Sequence, residues 1–336
     1  MRAAIRRDWA IYGFVLIYVV ASGAIGIALG AGQKFMPLLY VPRWVEMLSL
    51  VVAMQISLQG LLSLQSSTPL SDLRSRLAER RVHWTSGVLL CAAGALLHGA
   101  YTSNKTIAPD LLAFRFDVRL AEIDAIIHGV DAWRLLTWLN PFTDVIQLIY
   151  GVAWITLVFL VTAVAMMSPT LAHLRSRYAW TFILCWTVLG NWVSSLTLAA
   201  GPAFYQRVTG DPRFTPLMDF LAQHDEGASA HVLQNYLWTA YTGGAAGFAT
   251  GISAFPSMHL SMSTLFALYA FKASRPLGWA FTAFGVLILF GSVHLGWHYA
   301  VDGYVSIIAT TALWKLAGAT RTARAAVVRG AVPQPA

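Results

Sequence analysis

The feature that most constrains this chain is a series of long apolar segments separated by polar ones. Each segment has about the length, roughly 20 residues, that an α-helix needs to cross a bilayer. Only 11% of the residues are charged, against about 25% in soluble domains, so a polar surface is missing. The apolar runs fall at about 10–31, 45–65, 84–102, 142–167, 177–201, 255–273, 277–295 and 298–318. The sequence therefore predicts an all-α integral membrane protein with about eight transmembrane helices.

The first apolar run has two interpretations. Residues 21–24 resemble the cleavage site of a signal peptide, but the run stays apolar to Ala31, which favours a retained first span. We divide the chain into a two-span N-terminal extension (1–83), a catalytic transmembrane core (84–318) and a basic cytoplasmic tail (319–336).

The distribution of basic residues predicts the orientation in the membrane. With the N-terminus inside, fifteen of the 23 Lys and Arg fall in inner segments, although the outer segments are longer. Because Lys and Arg accumulate on the cytoplasmic side, both termini are predicted to be cytoplasmic, in an inner or plasma membrane. The outer basic residues are Lys34, Arg43, Lys105, Arg115, Arg119, Arg134, Arg207 and Arg213. Their dispersal between apolar runs indicates membrane topology and no nucleic-acid partner.

Two outer segments, 103–141 and 202–254, are too long to be simple connections. We expect the first to form amphipathic helices in the interface, with Trp133 and Trp138 at headgroup depth. The second has two candidate short helices, near 214–224 and 230–240. The glycines from 243 to 251 indicate a hinge or a close approach of backbone to ligand.

Ionisable residues are concentrated at the predicted outer ends of the last spans, where they are expected to be functional. Pro256 suits the first turn of a helix, which would leave Ser257, His259 and free amides as an anion site at its N-terminus. His298 and Asp302 are four residues apart and would share a helix face. Asp302 would then hold one imidazole nitrogen and leave the other free to attack.

Two other interpretations of these residues stay open. Membrane histidines often serve only as hydrogen-bonding groups between helices. Alternatively, His294 and His298 are also four apart, and His259 and Asp302 could complete a metal site with them. The segment around His294 could also be the turn between two spans, which would break the helical spacing.

These motifs resemble a known family. Ala254–His259 is similar to the second signature of the type 2 phosphatidic acid phosphatase superfamily, and His298–Asp302 is similar to its third, His-x-x-x-Asp. The Phe-Pro-Ser-x-His form is closest to the branch that contains inositol phosphorylceramide synthase. The resemblance covers about 120–318, including Asp124–Gly129 and Gly201–Tyr205, and makes the first two spans additions to a six-helix core.

The resemblance implies a role for each residue. His298 would be the nucleophile that forms a phosphohistidine, and Asp302 would orient it. His259 would protonate the leaving alkoxide and then activate the acceptor, while Ser257 and nearby amides would hold phosphate oxygens. The family needs no metal or other cofactor.

The chain also departs from the family pattern in its cations. The first signature, a Lys followed by Arg-Pro, is absent, and Ser292 replaces the arginine six residues before His298. We predict that Arg207, with Tyr205 beside it, takes part in phosphate binding, and that His294 compensates for Ser292.

The predicted function is transfer of phosphate from a membrane lipid phosphate or phosphodiester. Hydrolysis and transfer to a second alcohol share every step up to the phosphoenzyme, so the sequence does not separate them. The alternative is a non-catalytic lipid-binding or transport protein with a degenerate site. Such a protein would have charges near the midplane and an internal repeat, neither of which is clear here. The sequence gives no indication of the oligomeric state.

Overall fold

The computed structural model describes the backbone of residues 2–224 and 229–330 and the side chains of residues 5–224 and 229–319. All regular structure in these residues is helical, which confirms the all-α class. The helices are α1 (Arg2–Ala28), α2 (Val41–Ser63), α3 (Pro69–Leu111), α4 (Asp117–His128), α5 (Ala132–Met167), α6 (Ala172–Leu196), α7 (Tyr205–Thr209), α8 (Thr215–Ala222), α9 (Ala230–Thr242), α10 (Met258–Ala273), α11 (Arg275–His294) and α12 (Ala300–Gly330).

Five of these helices are long and apolar enough to cross a membrane. They are α2 and α11, most of α1 (Ile5–Ala28), and the whole of α5 and α6. Large apolar side chains such as Ile17, Ile27 and Leu61 are exposed on their outer faces, as lipid-facing residues of a bilayer protein are. The chain is therefore an integral membrane protein. A helix lies at each of the eight predicted spans, and the count of eight spans stays a prediction.

Helix α3 differs from the expectation for its region. It has 43 residues and continues to Leu111, so residues 103–111 are not part of an outer loop. The prediction ended the span at residue 102 because the residues that follow are polar. In the structure these polar side chains are hydrogen-bonded inside the bundle: Ser103 Oγ accepts from Met36 N at 2.9 Å, and Asn104 donates to Ser22 at 2.8 Å. The helix also passes through residues 83 and 84, so the division of the chain there stays a prediction.

The remainder of the outer segments follows the expectation more closely. Helix α4 and the 3₁₀ turns of Ala132–Phe142 fill the rest of 103–141. Helices α8 and α9 lie at the two places predicted within 202–254, with the short α7 before them. In the region predicted as a basic tail, α12 continues to Gly330, and residues 331–336 lie outside the described residues.

Two long helices contain wider, π-helical turns. In α5 these are Leu148–Ala153, and in α6 they are Cys185–Val193. Such turns change which side chains face a neighbouring helix and are often found at functional sites. Helix α10 packs against α11 and α12, and its first residues come close to both π-helical segments.

Candidate active site

Three loops converge where α10 and α12 begin, and backbone hydrogen bonds join them. Ala254 N donates to Ala199 O at 2.8 Å, and Ala203 N donates to Gly296 O at 2.8 Å. The three loops are therefore joined to one another; they comprise residues 197–204, 252–257 and 295–299. The predicted site residues lie in these loops or directly after them, at the starts of α10 and α12.

Gly201 is the point of closest approach between these loops. Its φ is +91°, a conformation that favours glycine. A Cβ at this position would lie 2.7 Å from Trp297 O and 3.1 Å from the Ala254 Cβ. The Gly201-Pro202 break thus lets the two signature segments approach each other.

Ser257 is the N-cap of α10. Its Oγ accepts a hydrogen bond from Leu260 N at 3.4 Å, and the side chain is fully buried. The prediction that Pro256 lies in the first helical turn is wrong, because α10 begins at Met258. Serine is a strong N-cap and takes the extended conformation that precedes a helix, so Pro256 is left in the approach to it.

His259 lies in the first turn of α10, stacked against two aromatic rings. Its ring centroid is 3.8 Å from that of Trp154 and 4.1 Å from that of Tyr150. Trp154 Nε1 also donates to the His259 carbonyl at 3.1 Å. Neither ring nitrogen of His259 has a hydrogen-bond partner among the described residues. The imidazole is held in a fixed plane with both nitrogens available.

His298 and Asp302 meet, although not in the way their spacing predicted. Helix α12 begins at Ala300, so His298 precedes the helix and does not share a helix face with Asp302. The chain turns at Tyr299, whose N–H donates to Asp302 Oδ2 at 3.1 Å, and this brings His298 Nδ1 to 3.3 Å from the same oxygen. Asp302 is fully buried, and its Oδ1 has no partner.

The two histidines face each other across the start of the two helices. Their ring centroids are 6.0 Å apart, with an angle of 64° between the ring planes. Because Nδ1 of His298 is directed at Asp302, its Nε2 is the nitrogen left for a bound group.

Helix α4 supports this arrangement with two carboxylates that were not predicted as site residues, although Asp124 begins a segment named in the resemblance. Asp117 accepts from Ala200 N and Gly201 N, both at 2.8 Å, and from the Tyr299 hydroxyl at 2.9 Å. Asp124 accepts from Val301 N at 3.0 Å. Burial raises the pKa of Asp117, and the three hydrogen bonds oppose that rise. Asp117 and Asp124 are seven residues apart, about two helical turns. This spacing places both carboxylates on one face of α4 and is the sequence signal that they contact the same neighbours.

The aromatic partners of His259 were also missed. Tyr150 and Trp154 are four residues apart in an apolar span, a spacing that puts two aromatic rings on one helical face. Tyr150 belongs to the π-helical segment of α5, and its hydroxyl is buried without a partner.

The structure does not bring Tyr205 and Arg207 into contact with the two histidines. Tyr205 is buried against Phe214. Arg207 is exposed, lies 5.1 Å from the Trp238 ring centroid and donates to Asn235 at 3.1 Å. Arg207 thus pairs with α9.

His294 is likewise engaged elsewhere. It is the last residue of α11, and its Nε2 is 2.9 Å from Thr143 Oγ1. Ser292 contributes through its backbone, because its carbonyl accepts from Trp297 N and from His298 N. The metal alternative needed His294 beside His298. In the described part of the chain, no three His, Cys, Asp or Glu side chains are grouped closely enough to share a metal ion.

Comparison with known families agrees with the two motifs. The family model of the PAP2 superfamily matches residues 120–316, more than half of the chain. Searches of the curated proteins and of the solved structures found no match. The matched region begins in α4, ends in α12 and contains both signature segments; the branch within the superfamily stays a prediction. The chain therefore belongs to the PAP2 superfamily, whose members are generally phosphatases and phosphotransferases.

Proposed function

We propose that the protein transfers phosphate from a lipid phosphate or phosphodiester through a phosphohistidine on His298. The observation that carries the proposal is the pair of imidazoles 6.0 Å apart, one of them backed by the buried Asp302. Membership of the superfamily supports phosphatase-type lipid chemistry. The roles of the individual residues are what the proposal adds.

In the first step, His298 Nε2 attacks phosphorus, and the bond from phosphorus to the lipid alkoxide breaks. Protonated His259 gives its proton to that alkoxide, which leaves as a neutral alcohol. Positive charge develops on the His298 ring, and Asp302 stabilises it through the hydrogen bond from Nδ1–H.

In the second step, neutral His259 takes a proton from the acceptor hydroxyl, whose oxygen attacks the phosphohistidine. The phosphorus–nitrogen bond breaks, and His298 returns to its first state. Water as acceptor gives hydrolysis, and an alcohol gives transfer. Both outcomes use the same residues, so the acceptor that reaches the phosphoenzyme decides between them.

The start of α10 would hold the phosphate oxygens. Ser257 Oγ already accepts from Leu260 N, so its own proton is free to be donated to an oxygen of the substrate. The dipole of α10 also favours an anion at this end.

The rings of Tyr150 and Trp154 have a second effect on His259. Aromatic faces attract cations, so the two rings offset part of the cost of protonating a buried imidazole in the first step. They also fix the ring plane, which keeps the proton directed at the leaving oxygen.

The direct test is phosphate release from a panel of lipid phosphates in detergent micelles. We expect His298→Ala to lower the rate about 10⁴-fold, as loss of the nucleophile does in other covalent enzymes. His173→Ala is the matched control, because His173 is exposed and distant in sequence from both motifs. Equal rates for wild type and His298→Ala would overturn the proposal.

We further propose that the site faces the outside of an inner or plasma membrane and that both termini are cytoplasmic. This follows from the fifteen-to-eight distribution of basic residues. Reporter fusions should then place Gly210 outside and Ser75 inside. The reverse pattern would move the site to the cytoplasmic face.

A further inference from the structure

A site that transfers phosphate accumulates negative charge on the phosphate oxygens, and positively charged side chains normally stabilise it. The cations expected from the sequence do not fill this role: Arg207 is paired with α9, and Arg213 Nη2 is 2.6 Å from Asp131. We infer that Lys105, near the end of α3, is the phosphate-binding cation beside His259. The inference rests on the proposed function and extends it to a helix outside the matched region 120–316.

The placement of α3 is the first support. The Tyr101 ring is 4.7 Å from the Trp186 ring of α6. Tyr101 and Met258 also contact Gly190 from two sides: a Cβ there would lie 2.7 Å from Tyr101 Cε2 and 3.1 Å from Met258 Sδ. This face of α3 therefore adjoins the first residue of α10.

Lys105 follows Tyr101 by one helical turn and so lies on the same face of α3. His259 follows Met258 directly. Tyr101 and Met258 both approach Gly190, so the next turn of α3 and the next residue of α10 bring Lys105 and His259 into the same region. The lysine thus lies at the end of the bundle where the two imidazoles meet.

The loop that leads into the second signature is fixed against Lys105. Gly251 has a φ of +94°, and a Cβ there would lie 2.7 Å from the Lys105 carbonyl carbon and 2.9 Å from its Cγ. Next to this contact, the hydroxyls of Thr106 and Thr250 are 3.0 Å apart and hydrogen-bonded. The glycines were predicted to mark a hinge or an approach of backbone to a ligand, and Gly251 instead lets the loop approach the backbone and stem of Lys105.

Lys105 also lacks a counterion. Among the described residues its ammonium makes no hydrogen bond or ion pair, although the side chain is partly buried. Lys34, another outer lysine, is paired with Asp110 at 2.5 Å. A partly buried charge without a partner is unfavourable, and a phosphate group would supply the missing negative charge.

The test compares wild type with Lys105→Met, Lys105→Arg and Lys272→Met. Lys272 is exposed at the far end of α10 and serves as a matched control. We expect Lys105→Met to lower kcat/KM about 100-fold and to weaken inhibition by vanadate, a phosphate analogue, at least about tenfold. Lys105→Arg should retain most of the kcat/KM and most of the inhibition by vanadate. Lys272→Met should equal wild type in both measurements.

Binding of inorganic phosphate separates this inference from the proposed function, because it needs no turnover. His298→Ala should lose turnover and keep phosphate binding, whereas Lys105→Met should lose phosphate binding with its thermal unfolding unchanged. If Lys105→Met binds phosphate and vanadate as wild type does, the role of Lys105 is overturned and the proposed function stands. If His298→Ala stays active, the proposed function fails, and lost phosphate binding in Lys105→Met would still support a phosphate site there.

Discussion

Two buried carboxylates of the molecule each have a basic partner, and they differ in whether that partner carries a permanent positive charge. In the first cluster, Asp8 Oδ2 accepts from Arg175 at 2.6 Å and from the Ser86 hydroxyl, while Arg175 Nε has no partner in the described part of the chain. In the second, Asp302 Oδ1 has no partner. Neither ring nitrogen of His259 has one among the described residues.

The difference separates a structural cluster from a functional one. Arg175 neutralises Asp8 within the fold itself, whereas Asp302 faces a histidine that gains a full positive charge only when it is protonated or phosphorylated. The Asp8 cluster joins α1, α3 and α6. The cluster at His259 and Asp302 leaves its bonds open, as expected of groups that are paired only when substrate is bound.

The largest effect on turnover within this comparison is expected for Asp302→Asn. Tyr299 N and His298 Nδ1 share Asp302 Oδ2, so the Asn oxygen should take that position and keep both hydrogen bonds. The negative charge that stabilises the positively charged His298 ring during attack is lost, so kcat should fall about 10³-fold or more. The midpoint temperature of thermal unfolding should be unchanged or slightly raised. Asp8→Asn is the matched change in the other cluster and should keep the kcat of wild type. An unchanged kcat in Asp302→Asn would contradict the assignment of one cluster to structure and the other to function.

A smaller effect is expected for His259→Ala. Loss of a general acid should lower kcat about 100-fold with a lipid alcohol as leaving group. A substrate with a nitrophenol leaving group needs no proton and should recover most of that loss, measured as the ratio of rates for the two substrates. His298→Ala should show no such recovery. An unchanged ratio in His259→Ala would assign His259 another role.

The smallest effect on turnover is expected for Arg175→Met, which breaks the paired cluster. It leaves Asp8 buried without its partner and should reduce the free energy of unfolding by about 3–5 kcal/mol. The folded fraction should keep kcat within about twofold. Replacing Asp8 by Leu in the same chain should restore much of the stability. A loss of kcat comparable to that of Asp302→Asn would show that the two clusters are not independent.

The helices and the histidine pair could be predicted from the sequence for clear physical reasons. A bilayer requires a long apolar run for each span, and these runs lie on the helices that the structure contains. The meeting of His298 with Asp302 was also predicted, although a turn at Tyr299 produces it instead of a helix face. Short separations along the chain keep such pairs close in either geometry.

The surroundings of the pair could not be predicted, because they depend on packing between distant segments. Tyr150 and His259 are 109 residues apart in the chain and meet through a π-helical turn that apolar periodicity does not reveal. Arg207 was predicted at the site from its nearness to Gly201, but stacking on Trp238 directs it to α9. Lys105 was assigned to an outer loop and lies in a helix.

The central claim is that His298 carries the phosphate during turnover. The most direct measurement is to quench the reaction with a ³²P-labelled lipid phosphate in alkali, where phosphohistidine survives, and to locate the label by mass spectrometry. We predict label on His298 in wild type and none in His298→Ala. Turnover without label on His298, or with the label on another residue, would contradict the claim.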